Sequence, residues 1–230
     1  MSESKIKINY GRNFLYLNSL YFFLIKKKRD EIFEILKKII KLSKSTKILD
    51  VGTTPSLDPH ENMILNNFKS KKNISCLSNQ NLKKLEYQYP LTSFFRGDGR
   101  KMKFKKNKFD IVFSSATLEH VGSYKNQSKF INECYRVSKN IIFITTPNRN
   151  YPIDFHTKLP FLHLLPKEMH RNILKFFGEK YLSKEKNLNL LNKNDLIEMC
   201  HKLNIHNFKI FKVKLFFFVS NLILVIYKKK

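Results

Sequence analysis

Three short segments carry the residues whose types and spacing could do chemistry. The first runs Lys47-Ile48-Leu49-Asp50-Val51-Gly52-Thr53-Thr54-Pro55. Its apolar run reads as a buried strand that ends at Gly52, where a missing side chain lets a ligand approach the backbone. Asp50, two residues earlier, disfavours a pyrophosphate and suits an ammonium or, more distantly, a sulfonium. A strand ending in a turn with an incidental acid has the same letters, and the segment alone does not separate the two. The second segment is Arg96-Gly97-Asp98-Gly99-Arg100, in which two glycines flank one acid. A carboxylate so presented can accept a hydrogen bond from an adenine amino group, while backbone N–H groups nearby reach ring nitrogens. A Gly-rich turn with a solvated acid is the plain alternative. The third leaves the strand Phe109–Ser114 into Ser115-Ala116-Thr117-Leu118-Glu119-His120-Val121-Gly122. Small polar residues such as Ser114 and Ser115 leave room for a ligand, and His120 could orient an acceptor or take its proton.

These segments need a scaffold that brings strand ends together. After a helix with one apolar face over Arg29–Leu42, the chain alternates short apolar runs with helical spacing. Strands are expected at Lys47–Val51, Ile74–Leu77, Thr92–Phe95, Phe109–Ser114 and Asn140–Thr145, with helices at Glu61–Phe68, Asn81–Tyr89 and Lys125–Val137. Such alternation implies a mostly parallel α/β sheet with helices on both faces, whose ligands sit beyond the carboxyl ends of the strands. A helix at Lys193–Leu203 precedes two successive strands, Phe208–Phe217 and Leu222–Tyr227, with Val219-Ser220-Asn221 as their turn. So short a connection makes that final pair an antiparallel hairpin. No G-x-G-x-x-G is present, which argues against a nicotinamide or flavin dinucleotide.

Composition narrows the class further. The chain has 230 residues, enough for one α/β domain with extra segments, and a formal net charge of +26. Such charge can draw nucleic acid or an anionic membrane surface. However, AT-rich coding DNA produces the same Lys, Asn, Ile and Phe bias without selection for a partner, and the lysines are spread along the whole chain. The three cysteines, Cys76, Cys134 and Cys200, form no C-x-x-C pair, and a reducing cytoplasm is the expected compartment. The apolar stretches Phe14–Ile25 and Leu215–Tyr227 are short and interrupted, and are expected as buried or surface-seeking structure rather than spans or a secretory signal. His156, His163 and His170 recur every seven residues, but Pro160 and Pro166 keep them off one continuous helix. No metal site is assigned to them; an acceptor-side lid over the strand ends is expected instead.

The combined strings resemble the small-molecule branch of the class I S-adenosylmethionine (SAM) dependent methyltransferases, and among these the enzymes encoded near glycosyltransferases of surface-polysaccharide pathways. The resemblance runs from about Ile48 to the C-terminus and is most specific in Phe109–Gly122, Ile142–Arg149 and Phe155–Pro166. It implies a Rossmann-like, mostly parallel seven-stranded sheet closed by the antiparallel hairpin. It also implies residues 1–46 as an N-terminal helical extension and 47–230 as the methyltransferase domain, with an acceptor-side insert near 150–185. SAM is the implied cofactor. Asp50, Gly52 and Thr53 would hold its methionine end, Asp98 and Gly99 its adenine, Ser114 and Ser115 the wall of its pocket, and His120 would act at the acceptor. Thr53 to Ser56 replace the further glycines of the usual loop. No carboxylate follows the second strand to grip the ribose; Gln80 stands there, and amides accept hydrogen bonds without the strength of a charged acceptor. The implied substrate is a small molecule, a sugar or saccharide precursor. An RNA methyltransferase and a non-catalytic methyltransferase-like subunit are the two rival readings. Association with an anionic inner-membrane face or with nucleic acid would be weak and peripheral.

Overall fold

The computed structural model describes residues 15–40, 43–58 and 61–228. Its elements are α1 (Leu15–Ile39), β1 (Ile48–Val51), α2 (Met63–Asn67), β2 (Ile74–Ser78), α3 (Lys83–Gln88), β3 (Ser93–Arg96), β4 (Phe109–Ser115), α4 (Tyr124–Val137), β5 (Ser138–Pro147), α5 (Lys167–Phe176), α6 (Lys193–Lys202), β6 (Phe208–Leu215) and β7 (Phe218–Tyr227). They form a seven-stranded sheet in the order β3-β2-β1-β4-β5-β7-β6. β1 to β5 run parallel, and β7 is antiparallel to both β5 and β6.

Period-two alternation divides the strands between two cores. Leu49, Val51, Val112, Ile142, Ile144, Leu222 and Leu224 face α4 and α6, which bury Phe130, Ile131, Cys134, Leu196 and Met199 against them. Ile48, Ile74, Cys76, Ile111, Phe113, Phe143 and Val225 face the other way and meet Ile32, Leu36 and Ile40 of α1 together with residues of α2 and α3. The central strands are apolar on both faces because helices cover both.

Two expectations need correction. The helix expected over Arg29–Leu42 begins earlier, since Leu15–Ile25 continue it as α1; Phe14, Lys41 and Leu42 lie outside the described residues. The hairpin turn is Phe216-Phe217, not Val219-Ser220-Asn221. Ser220 and Asn221 are tolerated inside β7 because each has a partner. Ser220 is buried and its hydroxyl donates to the Val213 carbonyl at 3.2 Å, and Asn221 Oδ1 accepts from Lys28 Nζ at 3.1 Å. The turn is instead built on Phe216 at φ 55°, a conformation that polar turn residues usually supply. No helix among the described residues is long and apolar enough to cross a membrane.

Candidate functional site

β1 leads into the first part of the site. Asp50 lies beside Cys76 of β2 and Phe113 of β4, and is buried. Burial penalises its charge and pushes its pKa up to about 7, a hydrogen bond with Thr53 opposing the shift. Thr53 is itself buried and donates to the Asp50 carbonyl at 3.3 Å. Gly52 has φ 92° and donates its N–H to Leu77 O at 2.8 Å. A Cβ at Gly52 would come within 2.0 Å of Thr117 Oγ1, so this backbone already has the loop after β4 resting on it.

At the ends of β2 and β3 stand the candidates Gln80, Asp98 and Gly99. Gln80 is exposed, its N–H donating to Ser78 Oγ at 3.2 Å. Asp98 is exposed and held bidentately by Arg100, with Nε–Oδ1 at 2.9 Å and Nη2–Oδ2 at 2.7 Å. The guanidinium keeps its pKa below the usual carboxylate range. Arg100 also reaches the Val121 carbonyl at 3.1 Å, tying the β3 end to the loop after β4. Gly99 has a packing reason: a Cβ there would lie 2.5 Å from the Phe130 ring.

β4 ends in a braced turn. Ser114 is fully buried and donates to the Val51 carbonyl at 2.8 Å, so its hydroxyl holds β1 rather than facing open space. Ser115 shares a hydrogen bond with Thr145 Oγ1 of β5 at 3.1 Å. Ala116 then takes φ 48°, and a 3-10 turn over Leu118–His120 follows. Leu118 anchors this turn in the core. Gln127 of α4 donates to the carbonyls of Leu118 (3.2 Å) and Asn189 (2.7 Å), and Asn189 N–H donates to Glu119 O (2.8 Å). These buried bonds to the main chain of Leu118, Glu119 and Asn189 fix the turn.

One consequence is a cluster that the sequence spacing did not announce. Glu119 is fully buried; its Oε2 accepts from Thr146 Oγ1 at 3.0 Å, and its Oε1 has no hydrogen-bond partner. His120 turns outward, with Nδ1 2.7 Å from Asn187 O and Nε2 3.2 Å from Nε2 of His156. Glu119 Oε1 lies 4.0 Å from both Nε2 atoms. His156 is held in turn by Asp154, Nδ1 to Oδ1 at 3.1 Å. Burial works against a charged His156, but the Asp154 carboxylate outweighs it and raises the pKa.

The structure therefore brings Asp50, Gly52 and Thr53 close to Thr117 and the β4 loop, and joins His120 to the segment after β5. Gln80 and Asp98 are exposed. Sequence reasoning did not assign roles to Glu119, Asp154 or Asn187, and it set His156 beside His163 and His170 on spacing alone. Those two are elsewhere: His163 Nε2 contacts the Tyr151 carbonyl at 2.7 Å, and His170 lies on α5. The adjacent Glu119-His120 pair was the available signal. A glutamate next to an outward histidine, anchored by Leu118, is the one buried by the turn.

Residues 53–141 match the family model described as "Methyltransferase domain". No curated protein sequence matches the chain. Among solved structures, the chain is similar to a SAM-dependent methyltransferase from Aquifex aeolicus (TM-score 0.56, 13% identity, covering 85% of this chain and 88% of that one). It is similar also to the 1,6-didemethyltoxoflavin-N1-methyltransferase of Burkholderia thailandensis, solved with 1,6-didemethyltoxoflavin and S-adenosylhomocysteine (0.57, 8%, 90% and 79%). A third is the phosphoethanolamine N-methyltransferase 2 of Haemonchus contortus, solved with SAM (0.60, 12%, 87% and 53%). The mostly parallel seven-stranded sheet closed by the antiparallel β7 is the Rossmann-like methyltransferase fold, and residues 53–141 carry the match to the methyltransferase domain.

Proposed function

We propose that this protein transfers the methyl group of SAM to a small-molecule acceptor, a sugar or saccharide precursor, with residues 47–230 as the catalytic unit and the segment near 150–185 as the acceptor side. The observation that carries this reading is the joining of the β4 loop to the segment after β5 through His120 and His156, 3.2 Å apart beyond the strand ends. The donor set suits the cofactor. Asp50 offers a buried carboxylate to its ammonium, and Gly52 turns the backbone at φ 92° just beyond it. Thr53 and Ser115 flank that point, while Ser114 braces β1. Bound SAM supplies an already activated methyl on a sulfonium. The protein's part is then alignment and exclusion of water, which together are worth several kcal/mol. His120 orients the acceptor or takes its proton, and Asp98, Gly99 and Gln80 serve the adenine and ribose end. Asp98 would have to share its carboxylate with Arg100 or exchange it.

Calorimetry with S-adenosylhomocysteine tests the cofactor step, and transfer of labelled methyl to a panel of free and nucleotide-linked sugars tests the acceptor. Folded protein that fails to bind at millimolar concentration defeats the enzyme reading. It would favour a second one, a non-catalytic methyltransferase-like subunit, for which the Thr117 side chain over Gly52 and the Asp98–Arg100 pair speak. We further propose weak peripheral association with anionic membrane, supported by three consecutive exposed phenylalanines, Phe216 to Phe218, at the β6–β7 tip. RNA methylation rests only on the charge.

A further inference from the structure

We propose that Glu119, His120 and His156 form a binding site for a first-row divalent transition-metal ion, zinc by ligand preference. His120 Nδ1 faces the carbonyl oxygen of Asn187, and His156 Nδ1 faces a carboxylate oxygen of Asp154. Both partners only accept, so both Nδ1 atoms carry hydrogen, and each ring in its neutral form presents a bare lone pair at Nε2. Those lone pairs point at each other across 3.2 Å. Beside them lies Glu119 Oε1, buried and without a hydrogen-bond partner. Two facing lone pairs and an unpartnered buried carboxylate repel one another unless a positive charge, a metal ion or a proton held between the rings, stands among them.

The donor set matches a known chemistry. Two imidazoles and one carboxylate are the ligands of many catalytic zinc sites, which keep a further position open. With metal–ligand bonds of about 2.0–2.1 Å, tetrahedral donors lie about 3.3 Å apart. The two Nε2 atoms already have that spacing, and Glu119 Oε1, at 4.0 Å from each, must close by less than an ångström. The outer partners are those a metal centre uses. Asp154 and the Asn187 carbonyl orient the imidazoles, and Thr146 holds the second oxygen of Glu119. His120 keeps about a third of its side chain exposed, whereas His156 and Glu119 are enclosed, so the open position faces solvent on the His120 side.

The ion binding itself stands on this geometry. Its use in catalysis rests on the methyl-transfer reading. An acceptor hydroxyl on the open position would lose its proton to solvent more readily, since the ion stabilises the alkoxide. The oxygen then attacks the methyl carbon, the C–S bond breaks, and the sulfonium leaves as a thioether. In that case His120 serves as a ligand rather than as the base.

The test uses the full chain stripped with chelator, titrated with Co²⁺ and followed by its visible absorption. Zn²⁺ is added as competitor, and S-adenosylhomocysteine calorimetry and a thermal melt run alongside. The expected result is one Co²⁺ per chain with a low-coordinate spectrum, displaced by Zn²⁺. Asp154→Asn should weaken the ion by about 10–100-fold, the usual cost of losing a carboxylate behind a ligating histidine, and His156→Ala by more. Glu119→Gln should do likewise, and if it does not fold the His156 variant decides. Absence of Co²⁺ binding in folded protein, or binding that His156→Ala leaves unchanged, overturns the proposal. S-adenosylhomocysteine binding is read separately, so loss of the metal site and loss of the methyltransferase reading are distinguishable.

Discussion

Asp50 sits where charge is expensive. Its carboxyl is enclosed by strands on either side and its pKa is raised to about 7, well above the ordinary value of 3.8. The sign follows from linkage. Between those two values the folded protein holds a proton that the unfolded chain has lost, so this group's contribution to stability falls as pH rises through 7. The penalty follows a scale of about 1.4 kcal/mol per tenfold change in proton affinity. A cofactor ammonium reverses the preference, because it needs the carboxylate. Affinity for S-adenosylhomocysteine should therefore tighten as pH rises from 6 toward 8, approaching tenfold per pH unit at the acid end, and level off above it. Asp50→Asn should flatten the profile; calorimetry across that range checks it, and a flat wild-type profile would remove Asp50 from the site. His120 makes a different demand. His120→Ala should lower methyl transfer by about 10²–10⁴-fold while leaving cofactor affinity within a few-fold. Steady-state rates set beside a binding isotherm test that, and equal small effects would make His120 a structural residue.

Among the elements, α1 and the β6–β7 hairpin bear the most on what the molecule can do. α1 is part of the core, since Ile32, Leu36 and Ile40 share a cluster with Ile48, Val213 and Ile223. Leu36 is 1% exposed, so Leu36→Ala should cost about 2–5 kcal/mol, partly from lost transfer energy and partly from the cavity left behind. Denaturant unfolding gives that number, and a loss under 1 kcal/mol would mean α1 docks only loosely. The hairpin tip has the opposite property: Phe217 is 91% exposed and Phe216 70%, so polar replacements there should leave stability unchanged. If the tip seats in a bilayer, Phe216→Ser with Phe217→Ser should cut co-sedimentation with vesicles containing phosphatidylserine several-fold. Undiminished sedimentation of that variant would assign the association to lysines alone.

At the scale of the whole molecule, a net charge of +26 guarantees some attraction to any polyanion. If that charge serves no specific nucleic-acid interface, RNA binding should be weak and should fall steeply from low to physiological salt, because the affinity comes from counterion release. Filter binding over a salt series tests this. A complex that is tight and sequence-selective at physiological salt would revive the RNA reading. The fold itself supplies the common frame for these expectations: a parallel sheet between two helical layers collects its strand ends along one edge, where β1, β4 and the segment after β5 meet.

Periodicity and turn chemistry were enough to find every strand of the parallel sheet and most helices, because burial on one face or both writes itself into the order of apolar residues. They were enough also to name Asp50, Gly52 and His120 as strand-end residues, since these are local. The hairpin turn was misplaced for the same reason. Ser220 and Asn221 look like turn residues, and their partners make them strand residues: Val213 across the hairpin and Lys28, distant in sequence. Spacing could not reveal the convergence of Glu119, His120 and His156. It depends on the parallel pairing of β4 with β5, on the Thr146 bond to Glu119, and on Asp154 aiming the ring of His156, which lies 36 residues from His120. The one-dimensional pattern records which faces are buried; which groups meet across them is decided by packing, because hydrogen-bond partners and lone pairs acquire direction only in the folded chain.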